Sequence, residues 1–139
     1  TLGGEGSGTT VEYVEVIGNV DDGIECFGGS VNINHALVWA QGDDAFDIDQ
    51  SYSGTISNFM GIADAESDHA LEIDGPEGSM VGQFTMTNGT LQGFTLEVVN
   101  MLTLEKKQQE TLQTHISITF LANLTLRLMG QQIQMELLL

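Results

Sequence analysis

The sequence predicts an all-β fold, a parallel β-helix or β-solenoid, with coils of about 21–25 residues. Three observations predict it. An acidic phrase recurs three times, as "DDGIECFGG" at 21–29, "GDDAFDID" at 42–49 and "DHALEIDG" at 68–75, so that its first Asp steps by 22 and then 25 residues. A glycine-opened phrase lies between the acidic ones and recurs four times. The chain also has 17 glycines but one proline, Pro76, which suits tight corners between short strands.

Taken in order, the segments alternate apolar and polar side chains, the period of a strand. Gly8 opens "GTTVEYVEV", and the first acidic phrase follows. Gly29 opens "GSVNINHALV" before the second acidic phrase; Gly54 opens "GTISNFMGI" before the third; Gly78 opens "GSMVGQFTM". Each unit reads as strand, glycine-rich turn, strand, polar turn. Aligning the acidic phrases gives columns: Asp21/Asp43/Asp68, Asp22/Asp44/His69, and the apolar Ile24/Phe46/Leu71 and Cys26/Ile48/Ile73. An acidic column, Glu25/Asp47/Glu72, separates the two apolar ones, and Asp49/Asp74 follows. A β-sandwich would explain short strands, but not like residues recurring at a fixed period.

The pattern changes after residue 97. Residues 98–139 keep strand-like stretches such as "HISITFLANLTLRLMG" but lose the glycine corners and acidic phrases. We expect acidic, glycine-rich coils over 1–97 and irregular further coils, or a capping segment of the same domain, over 98–139. Charge divides at the same place: residues 1–97 contain 17 acids and no Lys or Arg, and all three bases lie in 98–139. A surface of this sign repels nucleic acid and anionic membrane, and no run of about 18 apolar residues is available for insertion. Cys26 is alone and reads as a buried thiol. No signal peptide is visible, and the chain begins at Thr1 inside the pattern, as expected of a processed chain or a piece of a longer one.

In a parallel stack, equivalent residues sit about 4.8 Å apart. Two unit charges at that distance repel by about 1 kcal/mol in water and roughly 3 kcal/mol at an effective dielectric near 20. Three bare acidic columns would then consume several of the about 5–15 kcal/mol that hold a domain folded. One remedy is a hard cation: Ca2+ takes six to eight oxygens in flexible geometry, and Asp21, Asp22, Glu25, Asp43, Asp44, Asp47, Asp49, Asp68, Glu72 and Asp74 are the candidate ligands. The other reading is that these acids are solvated or cap coil corners by accepting backbone N–H bonds. No EF-hand loop or nonapeptide calcium repeat is present. His69 reads as a metal ligand, a weak acid or base, or an exposed corner residue.

Catalysis is the second reading. Paired carboxylates cleave glycosidic bonds, and Asp43, Asp44 and Asp47 would be the catalytic candidates. The Gly-His-Gly and Arg-x-Lys partners of polygalacturonase-type β-helices are absent, as is any Lys or Arg before residue 98 to serve a polysaccharide lyase. Of the aromatic residues, Phe27, Phe46, Phe59, Phe84 and Phe94 fall at apolar strand positions and are expected in the core. Trp39 and Tyr52 lie near turns, where burial is expected and exposure would let them stack on sugar rings. Asn88-Gly-Thr90 and Asn123-Leu-Thr125 match the glycosylation sequon, and "GGEGSG" at 3–8 lacks the lysine and helix of a phosphate loop.

"GTTVEYVEV", "DDGIECFGGSVNINHALV" and the "GDDAFDID" stretch with Tyr52 and Gly54 together resemble a group of secreted or surface-exposed bacterial proteins, frequent in Bacteroidetes and marine bacteria. Cys26 stands where that group has an aromatic, Ile48 where it has Trp, and Gln50–Ser51 replaces an acidic-Gly turn. The resemblance covers residues 1–75 well and 76–139 weakly. It implies a right-handed parallel β-helix at the cell surface or outside the cell. The function expected from these readings is a non-enzymatic surface or structural protein, stabilised by calcium, acting in adhesion, glycan contact or end-to-end or lateral self-assembly. The alternative is a carbohydrate-active enzyme or part of one.

Overall fold

The computed structural model describes residues 1–74, 79–80, 82–93, 102–104, 115–120 and 136–137. Among these, every regular element is a strand: β1 Leu2–Gly3, β2 Thr10–Ile17, β3 Ile24–Phe27, β4 Asn32–Trp39, β5 Phe46–Asp49, β6 Thr55–Ile62, β7 Leu71–Ile73, β8 Thr85–Gln92, β9 Leu102–Leu104, β10 His115–Phe120 and β11 Glu136–Leu137. Short and long strands alternate along the chain and sort into two sheets. One has the order β1-β3-β5-β7-β9 and the other β2-β4-β6-β8-β10-β11, with all neighbours parallel. A strand that finds its next-but-one successor alongside, in parallel, again and again, is the path of a solenoid. The all-β parallel β-helix expected from the sequence is the observed fold. β9, β10 and β11 add to the same two sheets, and most of residues 98–139, Phe94 and Asn123 lie outside the described residues.

The acidic-phrase columns are the true register. Ile24 pairs with Phe46, Glu25 with Asp47 and Cys26 with Ile48, and Asp47 and Ile48 pair with Glu72 and Ile73. The glycine-phrase alignment is corrected. Val11, three residues after Gly8, pairs with Ile33, four after Gly29, and Ile33 pairs with Ile56, two after Gly54. The glycines open turns of unequal length, so they do not stack, whereas the strands must keep register to keep their hydrogen bonds. Gly78 lies outside the described residues.

Inward side chains form a continuous stack: Phe46, Ile48, Leu71 and Ile73 from the short strands meet Ile33, Val38, Ile56, Phe59, Met86 and Leu91 from the long ones. Size is complementary across coils. Phe59 packs edge-on against Phe46, with ring centroids 5.0 Å apart. Its ring lies over Gly89, where an added Cβ would stand 2.1 Å from it, so glycine is required beneath the ring. Tyr52 is buried as expected, and its hydroxyl donates to the Val31 carbonyl at 2.7 Å. Cys26 is fully buried. Phe27 and Trp39 depart from expectation: they are 44% and 49% exposed. Each ends its strand, and alternation after the inward Cys26 and Val38 turns both outward.

Each long strand also bends at one residue. Tyr13, His35, Asn58 and Asn88 all have φ between 55° and 58°, the left-handed region that asparagine tolerates best among side-chain-bearing residues. The register aligns all four. The column is knitted along the solenoid axis: Tyr13 and His35 stack at 4.5 Å, Asn58 Nδ2 donates to Asn34 Oδ1 at 2.8 Å, and Asn88 Nδ2 donates to Asn58 Oδ1. This ladder turns one eight-residue strand into two faces.

Candidate functional site

The acidic phrases converge on the outer face of β3, β5 and β7 and on the corner that precedes it. Alternation does the sorting. Ile24, Phe46 and Leu71 and then Cys26, Ile48 and Ile73 point inward, which sends Glu25, Asp47 and Glu72 outward on adjacent coils. No Lys or Arg stands in residues 1–97 to oppose this column.

At the corner, Asp22, Asp44 and His69 form a staircase. Asp22 Oδ1 accepts the N–H of Asp44 at 3.2 Å. Asp44 Oδ1 accepts the N–H of His69 at 2.8 Å and meets its Nδ1 at 2.9 Å. Each carboxylate thus ties its own coil to the next, the corner-capping role that acidic residues serve in turns. His69 is half-buried in this bond rather than a free exposed corner residue, and its Nε2 lies 3.7 Å from Asp68. Asp44 itself is only 3% exposed. Among the three acids considered for catalysis it is therefore shielded from direct contact with a polymer, while Asp43 and Asp47 reach the surface in part.

Among the described residues, three groupings bring one ligand atom from each member within 4.8 Å of the others: Asp22/Glu25/Asp47, Asp21/Asp22/Asp43 and Asp44/His69/Glu72. Seven of the ten acids singled out in the sequence fall in them. Asp49, Asp68 and Asp74 do not; Asp49 accepts the N–H of Gln50, and the N–H of Asp74 bonds the Ile48 carbonyl at 2.9 Å. His69, which the Asp22/Asp44 column marks in the sequence as one reading's metal ligand, joins Asp44 and Glu72 in the third grouping.

The electrostatics follow from burial, with no Lys or Arg among the described residues to oppose it. Desolvation pushes Asp22 and Asp44 up to about 6, Glu72 up to about 7 and Asp47 up to about 8. For Asp47, the charges of Asp22, Glu72, Asp49 and Glu25 add to the rise. Asp44 and Glu72 lie together in one group with His69, and burial is the main cause of the rise in both. Asp47 Oδ1 is buried and meets no hydrogen-bond donor among the described residues. A buried oxygen with no donor, among acids whose charged form is made costly by burial, is an arrangement a cation would relieve.

Fold and site together define a parallel β-helix with a carboxylate-rich face on one sheet. The family model described as a pectate-lyase-like β-helix domain matches residues 1–136, and the chain belongs to that family. No curated protein and no solved structure matches the chain.

Proposed function

We propose that this protein is a calcium-stabilised β-helix that acts outside the cell by surface contact, in adhesion, glycan contact or assembly, rather than by catalysis. One observation carries the calcium reading: the buried Oδ1 of Asp47 has no donor and lies in the group with Asp22 and Glu25. Asp22, Glu25 and Asp47 would supply the first oxygens, with Asp21 and Asp43 beside them through the shared Asp22. Calcium, a hard cation of flexible coordination, suits carboxylates drawn from different coils better than magnesium, which demands a near-octahedral shell. The bound cation would cross-link successive coils and offset the repulsion along the acidic column. The extracellular setting is supported by the resemblance described above and by the large negative charge, which a calcium-rich or saline medium screens.

The test is a thermal melt in EDTA and across a calcium titration at fixed ionic strength. Calcium at about 100 times its Kd adds about 2.7 kcal/mol to native stability. A rise specific to calcium, absent with sodium and lost in Asp47→Asn, is the expected result. Equal melting temperatures in EDTA and calcium would remove the metal from the proposal.

A second reading has one specific support, the pectate-lyase-like family together with the Asp44/His69/Glu72 group, in which His69 Nδ1 meets Asp44 at 2.9 Å. Here Glu72 would be the outward acid and Asp44 would orient His69. Turnover of pectin, alginate or another acidic glycan that disappears in Glu72→Gln with the fold retained would favour it over the contact role.

A further inference from the structure

A second surface lies on the other sheet, beyond the bend at Tyr13, His35 and Asn58. Two outward columns run across it in register: Glu15, Leu37, Met60 and Thr90, and beside them Ile17, Trp39, Ile62 and Gln92. Both are apolar in the middle and polar at an end. Ile17 is 54% exposed, Trp39 49% and Met60 40%, with Leu37 and Ile62 partly exposed between them. An apolar patch of this kind on a chain of net charge −17 is a feature that solubility does not require.

We propose that this face docks a neutral oligosaccharide, with the apolar side of one pyranose ring laid on the Trp39 indole. The floor is the outside of a parallel sheet, where the half-exposed Trp39 stands beside Ile62 and diagonal to Met60. Glu15 at one end and Thr90 and Gln92 at the other offer hydrogen-bonding groups for hydroxyls. The three coil steps between Glu15 and Thr90 span about 14 Å, the reach of a short oligosaccharide. Charge favours a neutral glycan over an anionic one: the described residues contain no Lys or Arg to receive a uronate or sulfate. Charge opposes a second copy on this patch: a stable interface buries about 800 Å2 per partner, and two copies meeting over that area would both carry the same strongly negative charge. The proposal rests on the surface-contact reading only in taking a glycan as partner; the acidic face plays no part in it.

Trp39 is the sole tryptophan of the chain, so its emission reports this patch alone. The experiment titrates the protein with neutral hexasaccharides of the β-1,4-glucan, β-1,4-xylan and β-1,4-mannan series and, in parallel, with hexagalacturonate, in EDTA and again in calcium. One neutral series is expected to shift the emission to the blue and to shield Trp39 from acrylamide, with no response to hexagalacturonate. Met60→Glu keeps the reporter and places a charge in the floor; it is expected to weaken binding by about tenfold or more while the melting temperature stays put. Trp39→Ala, followed by calorimetry, should lose binding to a similar extent. No emission change with any neutral series overturns the proposal, as does binding that both variants leave intact. A mass that grows with protein concentration and falls back in Met60→Glu assigns the patch to self-association and overturns it too. A response to glycan in EDTA alongside a melt that ignores calcium would leave this site standing and remove the calcium reading; the reverse pair of results would do the opposite.

Discussion

Replacing Asp47 by Asn removes one charge from the middle of the Glu25–Asp47–Glu72 column and leaves the side-chain shape almost unchanged. In calcium-free buffer the sign follows from linkage. Asp47 titrates at about 8 in the folded protein, against an ordinary value of 3.8. Between those values the native state holds a proton that the unfolded chain has released. The contribution of Asp47 is therefore fully present below pH about 4 and is lost as pH rises toward 8. At about 1.4 kcal/mol per pH unit the full shift amounts to roughly 6 kcal/mol. Partial solvent access and relaxation of neighbouring acids reduce it to about 2–3 kcal/mol. Asn does not titrate, so the variant escapes that loss. The two proteins should melt together near pH 4, and by pH 8 the variant should melt about 10 °C higher. In saturating calcium the order reverses, because the variant lacks a ligand. The assay is a set of melts from pH 4 to 8 in EDTA. Parallel profiles for the two proteins, or a variant less stable at pH 8 without calcium, would show that Asp47 is not held in the costly environment described here.

Three further outcomes test the framework. Gly54→Ala would set a Cβ 2.0 Å from the Val31 carbonyl oxygen and 2.5 Å from the Tyr52 hydroxyl, and urea denaturation should show a loss of about 3 kcal/mol or more. Tyr52→Phe keeps the packing but deprives the Val31 carbonyl of its donor, and should cost about 1–3 kcal/mol in the same assay. Asn58→Ala loses the bonds to Asn34 and Asn88 and places a less tolerant residue at φ 55°. It should cost about 2 kcal/mol, and Asn58→Gly, free at that angle, should cost less. An equal cost for the two would mean the left-handed bend stores no strain.

The acidic columns were legible because both partners of each pair are chemically alike and all columns shift together, by 22 residues at one step and 25 at the next: Asp47 sits between Glu25 and Glu72 in sequence phrase and in register. The glycine phrases misled because turn length varies while strand register does not. The bend column was invisible because what its members share is a backbone angle, not a side chain; a tyrosine, a histidine and two asparagines carry it. Trp39 and Phe27 were placed by residue type, although the alternation that buries Val38 and Cys26 already pointed both of them outward. The staircase role of Asp22 and Asp44 needed the third dimension, since each bonds a residue 22 or 25 positions away.

The unequal corners have an evolutionary and practical consequence. Six residues separate Trp39 from Phe46, and eight separate Ile62 from Leu71, yet both stretches join the same two sheets in the same register. The longer corner closes largely on itself: Glu66 N–H donates to Asp64 Oδ1, Ser67 Oγ accepts from the Asp64 N–H, and Ala65 and Glu66 stand in solvent. Growth at that tip changes nothing in the rungs above and below, whereas a single residue added inside β4 would invert every inward and outward side chain after it. The molecule is in effect a ladder with adjustable side rails. Foreign peptides could be displayed between Ala65 and Glu66, and lineages of this fold would be free to diversify there while the rungs stayed fixed.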